Sequence, residues 1–243
     1  MNVEEYGRMF EAEERQWWYA GMRSISFSLI DLAAGGTPPR SFLDAGCGTG
    51  NNLLHLGRKA RAVGVDFSEE ALRFCKERGV RVARGSVLAL PFQAGSFEAV
   101  TSFDVIYHRW VSDDRAAVQE MARVLRPGGL LLVRVPALRM LWGAHDEAVH
   151  SRHRYTRGEL SALFEGAGLD VVRATYCNSF LFPLLIARRT LDRLLSRHGS
   201  DVQFLPAPLE RAFRLLLEIE ARLVRFFPLP FGTSVMAIGR KRA

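Results

Sequence analysis

The sequence predicts an α/β fold built on a mostly parallel sheet, and three observations predict it. Short apolar runs alternate with helix-patterned segments from residue 41 to residue 175. The first run ends in a glycine turn, Asp44-Ala-Gly-Cys-Gly-Thr-Gly50, which leads straight into Leu53, Leu54 and Leu56 at helix-like spacing. A later run, Leu130 to Val135, reads as a continuous apolar strand, as expected when both faces of a parallel strand are covered.

Strand, glycine turn, helix is the local plan of a nucleotide-binding α/β unit. Glycines reach φ > 0 and let a ligand approach the main chain. The following helix N-terminus offers free N–H groups to an anionic group. Such turns also serve purely structural loops, so the surrounding residues carry the argument. Asp44 precedes the first glycine. A second apolar strand, Ala62-Val-Gly-Val65, ends in Asp66, about twenty residues on, where an acid can bond ribose hydroxyls. Leu90-Pro91-Phe92 and Arg123-Val-Leu-Arg-Pro-Gly-Gly129 follow.

In chain order, residues 3 to 34 read as one or two helices, with Tyr6, Phe10, Trp17, Met22, Ile25, Leu29 and Leu32 at near-helical spacing. Gly35-Gly-Thr-Pro-Pro39 breaks the pattern. Strand 42–45 leads to helix 52–58, strand 62–65 to helix 69–77 with Ser68 as N-cap, and strand 80–83 follows. Strand 97–103 precedes helix 113–125, capped by Ser112, and then the strand 130–135. Thr156 is the expected cap of helix 158–166, residues 169–175 form strand six, and residues 232–239 form the last strand. About fifty residues separate these two, too many for a structureless loop. They supply a helix at 180–195, interrupted by Pro183, and a second with Leu209, Phe213, Leu216, Leu217, Ile219, Leu223 and Phe226 on one face. Arg211, Arg214, Glu218, Arg222 and Arg225 take the other face.

The motifs at 44–50, 64–66 and 123–129 resemble those of class I S-adenosylmethionine-dependent methyltransferases, of the small-molecule, type 11-like kind. The resemblance is strong over residues 40 to 140. It implies a seven-stranded, mostly parallel Rossmann-like sheet whose last strand is antiparallel, with N-terminal helices and a helical insertion between strands six and seven. The expected division is an N-terminal helical cap (1–40), a methyltransferase core (41–177), a helical insertion serving as lid, substrate subdomain or interface (178–231), and the last core strand (232–243). It also implies the cofactor S-adenosyl-L-methionine. By resemblance Asp44, Gly46, Cys47 and Gly48 shape the turn against its methionine part, with Thr49 and Asn51 nearby. Asp66 accepts from the ribose hydroxyls and Phe67 packs on adenine. Ser86 and Val87 stand where the family often carries an acid for the adenine amino group, and Phe103 and Asp104 are further wall residues. Trp18, Tyr19 and Arg23 of the cap are substrate candidates, against the alternative of packing on the sheet.

Residues 137–156 crowd polar and aromatic groups after a parallel strand, the edge where ligands bind in open α/β sheets. Arg154, Tyr155 and Arg152 suit an anionic substrate group, or equally anchor the loop. Methyl transfer needs mostly positioning and dryness, with a base for a hydroxyl or protonated amine. His145 is the first candidate base, ahead of His108, Tyr107 and His153; for each histidine a satisfied loop residue is the competing reading. The run His145, His150, His153 lacks a cysteine, and no metal is expected.

Composition narrows the partners. The net charge is +7, and from residue 178 onward there are 11 Lys/Arg against 5 Asp/Glu, so the basic excess sits in the C-terminal part. That favours an anionic membrane surface, nucleic acid or an acidic substrate, or is a solvated helix face. No secretory leader is evident, apolar runs fall far short of the ~20 residues that span a bilayer, and three irregularly spaced cysteines argue against a disulfide framework. A cytoplasmic protein, peripheral to the membrane at most, is expected. The leading expectation is methyl transfer to a small or lipid-like acceptor, with a homodimer as a further candidate state. RNA methylation is the alternative, with nucleic acid disfavoured for want of an RNA-binding appendage, and so is a non-catalytic cofactor binder or membrane-surface protein. A nicotinamide oxidoreductase would require GxGxxG in place of GxGxG.

Overall fold

The computed structural model describes residues 3–187 and 205–242. Two helices, α1 (Val3–Arg15) and α2 (Trp17–Ala34), precede β1 (Ser41–Ala45), α3 (Asn51–Gly57), β2 (Arg61–Asp66), α4 (Glu69–Glu77) and β3 (Val82–Arg84). The chain continues through β4 (Phe97–Phe103), α5 (Asp114–Val124), β5 (Leu125–Pro136), a short α6 (Ala144–Ala148), α7 (Arg157–Gly166) and β6 (Leu169–Cys177). Helical residues 182–187, α8 (Ala207–Leu223) and β7 (Ser234–Lys241) complete the described chain. Of the helix expected at 180–195, residues 188–195 lie outside the described residues.

The sheet order is β3-β2-β1-β4-β5-β7-β6. Strands β1 to β5 pair in parallel, and β7 runs antiparallel to both β5 and β6. The winding reverses between β1 and β4, which puts a crevice at the C-terminal ends of those strands. This is the Rossmann-like sheet with an antiparallel last strand that the sequence predicts.

Local signals account for most boundaries. Ser68 Oγ accepts from Ala71 N at 3.4 Å at the start of α4. Thr156 and Glu159 form a reciprocal capping box on α7. At α5 the cap is Asp113 and not Ser112: Asp113 Oδ1 accepts from Ala116 N at 3.0 Å. A carboxylate at that place also meets the positive end of the helix dipole.

The core lies on both faces of the sheet. Leu43, Val65, Val100, Leu131 and Val133 pack with Met121 and Phe164 on one side, while Leu130, Leu132, Met236 and Ile238 pack with Ile25, Leu29 and Leu217 on the other. The β5 run is therefore less uniform than expected: its alternation places Arg134 on the second face, only 6% exposed. Helices α2 and α8 touch through Gly21, where a Cβ would fall within 2.3–2.5 Å of Leu217 carbons. The buried face of α8 is Leu217, Glu220 and Ala221. Ile219 and Phe226, expected on that face, are exposed, because α2 covers only a narrow stripe of α8.

Glu220 explains how α8 is tied down. It is fully buried, and its carboxylate accepts from Asn178 N at 2.5 Å and from Ser179 N at 2.9 Å, just past β6. Burial raises its pKa, and those backbone N–H groups work in the opposite direction. Glu220→Ala leaves both donors without their partner. At about 1–3 kcal/mol per orphaned N–H, the loss is about 2–6 kcal/mol, and Tm should fall by at least roughly 4–8 °C in a thermal melt. Glu220→Gln retains an acceptor and should lose less.

Candidate active site

A cavity of about 840 Å³ opens where the winding reverses. Its floor is the glycine turn after β1. Gly46, Gly48 and Gly50 have φ of 79°, 53° and 83°, a left-handed series that bends the chain away from the strand and bares its backbone. Gly46 N and Cys47 N donate to Val65 O, which locks the turn to β2. Gly48 N donates to Asp66 Oδ2 at 2.9 Å, and Ser68 N donates to Oδ1 at 3.0 Å. The Asp66 carboxylate is thus fixed at the cavity wall, with lone pairs left for hydroxyl donors. Burial raises its pKa, against the pull of the N–H groups of Ser68, Gly48 and Phe67.

Of the residues expected at the cofactor, Gly46, Cys47, Gly48, Asn51, Asp66, Phe67, Ser86, Val87 and Phe103 line the cavity. Asp44 stands beneath the turn, 1% exposed, accepting from Thr101 Oγ1 at 2.8 Å. Burial pushes its pKa up to about 7. Asp44 therefore braces the strand end and is not a lining group. The Cys47 thiol is held well above its usual pKa, first by its contact with Cys75, 3.9 Å away, and then by burial. Ser86 Oγ accepts from Leu88 N at 3.2 Å, so the residue in the place of an adenine-binding acid shapes its own turn.

The residues present fit the nucleoside cofactor. Glycines without side chains face the cavity, a fixed carboxylate ends β2 at Asp66, and Val87 and Phe103 supply apolar wall. Arg23 Nη1 donates to Asn51 Oδ1 at 2.8 Å, which places a cation from α2 at the same rim.

The cavity is also lined by Trp18 and Tyr19, the substrate candidates of α2, and by Leu181, Leu184 and Phe213. The adjacent tryptophans divide their work, since neighbours on a helix point about 100° apart. Trp17 meets the Phe213 ring edge-on at 5.2 Å, and Trp18 lies 5.0 Å from the Arg134 guanidinium. Arg134 is also held between Phe103 and a double contact to Asp104 Oδ2 at 2.8 and 2.6 Å.

Among the candidate bases, His108 lines this chamber and its Nδ1 lies 2.7 Å from the Val149 carbonyl. A carbonyl only accepts, so Nδ1 carries the proton and Nε2 keeps a lone pair. Burial lowers the His108 pKa to about 4. Tyr107 stacks on it at 4.2 Å, and burial raises the phenol pKa well above its usual value. His153 is outside the cavity, 3.2 Å from Glu159 on the surface. The His145 side chain lies outside the described residues. No group of three metal-ligating side chains occurs among the described residues.

Two further expectations resolve towards anchoring. Arg154 reaches the cavity wall, but its guanidinium is committed to Asp146 at 2.8 and 2.9 Å and to the Ala137 carbonyl at 2.9 Å. Tyr155 is buried and donates to Asp114 Oδ2 at 2.6 Å, away from the cavity. Arg152 lies 3.3 Å from Asp114. These contacts clamp the loop after β5 to the core. Sequence reasoning missed Arg134, whose signal is a lone cation inside an apolar strand. It also missed Asn178, in the left-handed region at φ 60°, which donates to Thr233 Oγ1 at 2.9 Å and holds a buried Oδ1 with no hydrogen-bond partner among the described residues at the cavity.

Comparison with known proteins agrees with this arrangement. Residues 42–129 match the family described as a methyltransferase domain. Over 168 residues the chain is 33% identical to a probable S-adenosylmethionine-dependent methyltransferase of Mycobacterium tuberculosis, covering 67% of this chain and 58% of that protein. Over 160 residues it is 32% identical to the tRNA (carboxymethyluridine(34)-5-O)-methyltransferase ALKBH8 of Mus musculus, covering 65% of this chain and 23% of that protein. The chain thus spans less than two thirds of the length of these relatives. The expectation against nucleic acid finds no support among them. A chain from the complex of the Haloferax volcanii Trm112 methyltransferase activator with a candidate methyltransferase superposes with a TM-score of 0.62 at 20% identity, covering 98% of this chain and 95% of that one. The [4+2]-cyclase SpnF shares the fold at a TM-score of 0.54 and 22% identity, covering 88% and 80%. Motifs, sheet order and relatives together assign the chain to the class I S-adenosylmethionine-dependent methyltransferases.

Proposed function

We propose that this chain transfers a methyl group to a small or lipid-like acceptor, with His108 as the proton acceptor. The observation that supports this most is one cavity joining the glycine turn to an apolar chamber lined by α2 and by Leu181, Leu184 and Phe213. The cofactor, when bound, supplies an activated methyl on a sulfonium. Asp66 would hold its ribose hydroxyls, and the bare backbone at Gly46 and Gly48 would admit its amino-acid end. Trp18, Phe103 and Leu181 exclude water from the acceptor. Arg134, already balanced by Asp104, lends a cationic wall without an unpaired charge. His108 Nε2 accepts the proton of an acceptor hydroxyl or amine. Residues 182–187 and α8 serve as the lid of this chamber.

A second reading, transfer to an RNA nucleotide, is favoured by relatives named as tRNA methyltransferases and by the basic C-terminal part. Titration with transfer RNA across a salt series separates the two, because phosphate contacts give a steep salt dependence.

Calorimetry with S-adenosylmethionine should show binding to the wild type and a loss of about tenfold to a hundredfold in Asp66→Asn, at about 1.5–3 kcal/mol for hydrogen bonds to a charged group. No binding by folded wild-type protein would refute the reading. In an acceptor assay, His108→Asn should lower kcat by about 10²–10⁴-fold. The pH profile gives a second check. An ordinary imidazole becomes protonated as pH falls through about 6.5, whereas His108 stays neutral down to about 4. The wild-type rate should therefore hold its plateau at pH 5.5, and a fall centred at 6.5 would exclude His108 as the base.

A further inference from the structure

Two stretches of the C-terminal part contain no polar side chain. They are Phe180-Leu-Phe-Pro-Leu-Leu-Ile-Ala187 and Phe226-Phe-Pro-Leu-Pro-Phe231. They meet where the Phe182 and Phe231 rings lie 5.3 Å apart. Ser179 Oγ donates to the Phe231 carbonyl at the same junction. Their outer side stays in water: Leu184 is 55% exposed and Phe226 76%, and Phe180, Phe227 and Phe231 are each more than two fifths exposed. Isolated exposed apolar residues are ordinary, but a contiguous group of this kind marks an interaction surface.

Charge identifies the partner. Arg222 and Arg225 are exposed immediately before Phe226. The Arg173 guanidinium donates to the Arg225 carbonyl at 3.2 Å, which brings a third cation to the edge of the patch. The acids of α8 do not offset them. Glu210 accepts from Trp17 N at 2.7 Å, Glu218 is engaged with Arg214 at 2.8 Å, and Glu220 is buried. Aromatic and aliphatic side chains bordered by arginines suit the interface of an anionic bilayer. Among the described residues no helix is long and apolar enough to cross a membrane, so the contact is with the surface.

We propose that the patch formed by residues 180–187 and 226–231, with its border of Arg173, Arg222 and Arg225, docks this protein on an anionic lipid surface. Leu184 belongs both to the exposed patch and to the cavity wall. Docking therefore sets the apolar chamber's rim against the bilayer, where a lipid-like acceptor resides. The docking itself stands apart from the methyl-transfer reading, because cofactor binding tests one and vesicle binding the other.

The experiment is co-sedimentation of the full chain with vesicles of phosphatidylcholine alone and of phosphatidylcholine mixed with phosphatidylglycerol. Binding should require the anionic lipid and fall with added salt. Phe226→Ser combined with Phe227→Ser should cut it by roughly tenfold or more, since two exposed rings leave the interface. Arg222→Glu with Arg225→Glu should cut anionic binding by at least about tenfold. Circular dichroism and cofactor calorimetry on the same samples report whether each variant is folded. A folded wild type that ignores anionic vesicles overturns the proposal, as does binding that both variant pairs leave unchanged. A concentration-dependent dimer, dispersed by the phenylalanine changes in the absence of lipid, would assign the patch to a second copy instead.

Discussion

Arg78, just past the end of α4, donates to Glu13 Oε2 at 2.7 Å, to the Thr49 carbonyl at 3.1 Å and to the Phe10 carbonyl at 3.1 Å. The Thr49 hydroxyl closes the circuit by donating to the same Glu13 carboxylate. Helix α1, the glycine turn and α4 are thereby joined through one buried guanidinium. Glu13 pays a desolvation penalty that raises its pKa, and the Thr49 and Arg78 contacts counter it. Removing one member of such a buried pair costs about 3–5 kcal/mol, much more than an exposed pair contributes. The constraint matters because α1 and α2 supply a wall of the cavity. Without the anchor the glycine turn would face solvent, and the dry, shaped space that methyl transfer requires would be open on that side.

The sheet was legible because each strand carries its own signal. Apolar runs bounded by turns mark β1, β2 and β4, and Ser68 and Thr156 announce the helices they cap. The cofactor half was legible for the same reason: the chemistry depends on backbone shape, and backbone shape is written in glycine. Gly46, Gly48 and Gly50 all take the positive φ that their residue type permits. Asp44 shows the limit of motif reading. The motif places it correctly, yet its carboxylate faces Thr101 beneath the turn and braces the strand.

The acceptor half was less legible because its residues are defined by long-range partners. Arg154 and Tyr155 have the composition of an anion-binding pair, and only Asp146 and Asp114 reveal them as loop anchors. Neither acid is adjacent in sequence to the residue it engages. The orientation of His108 depends on the Val149 carbonyl, 41 residues away. That contact fixes its tautomer, and no periodicity encodes it. Arg134 could have been noticed from its charge, but its role follows from Trp18, Phe103 and Asp104, which come from two other elements.

The same separation explains why the fold limits the chemistry without choosing it. One structural neighbour with this sheet is a [4+2]-cyclase, so the architecture alone does not specify methyl transfer. Here a wall of the cavity is contributed by α8, which is far in sequence from the glycine turn. Its attachment is nevertheless specific: Glu220 binds the turn after β6, and Glu210 Oε2 accepts from Trp17 N at 2.7 Å at the start of α2. Two carboxylates from α8 thus tie that helix to the start of α2 and to the turn after β6. Leu181, Leu184 and Phe213 line the cavity beside that helix and leave any polar group set against them unpaired, so charge on a bound molecule has to be met from the other walls, by Arg23, Arg134 and Asn178.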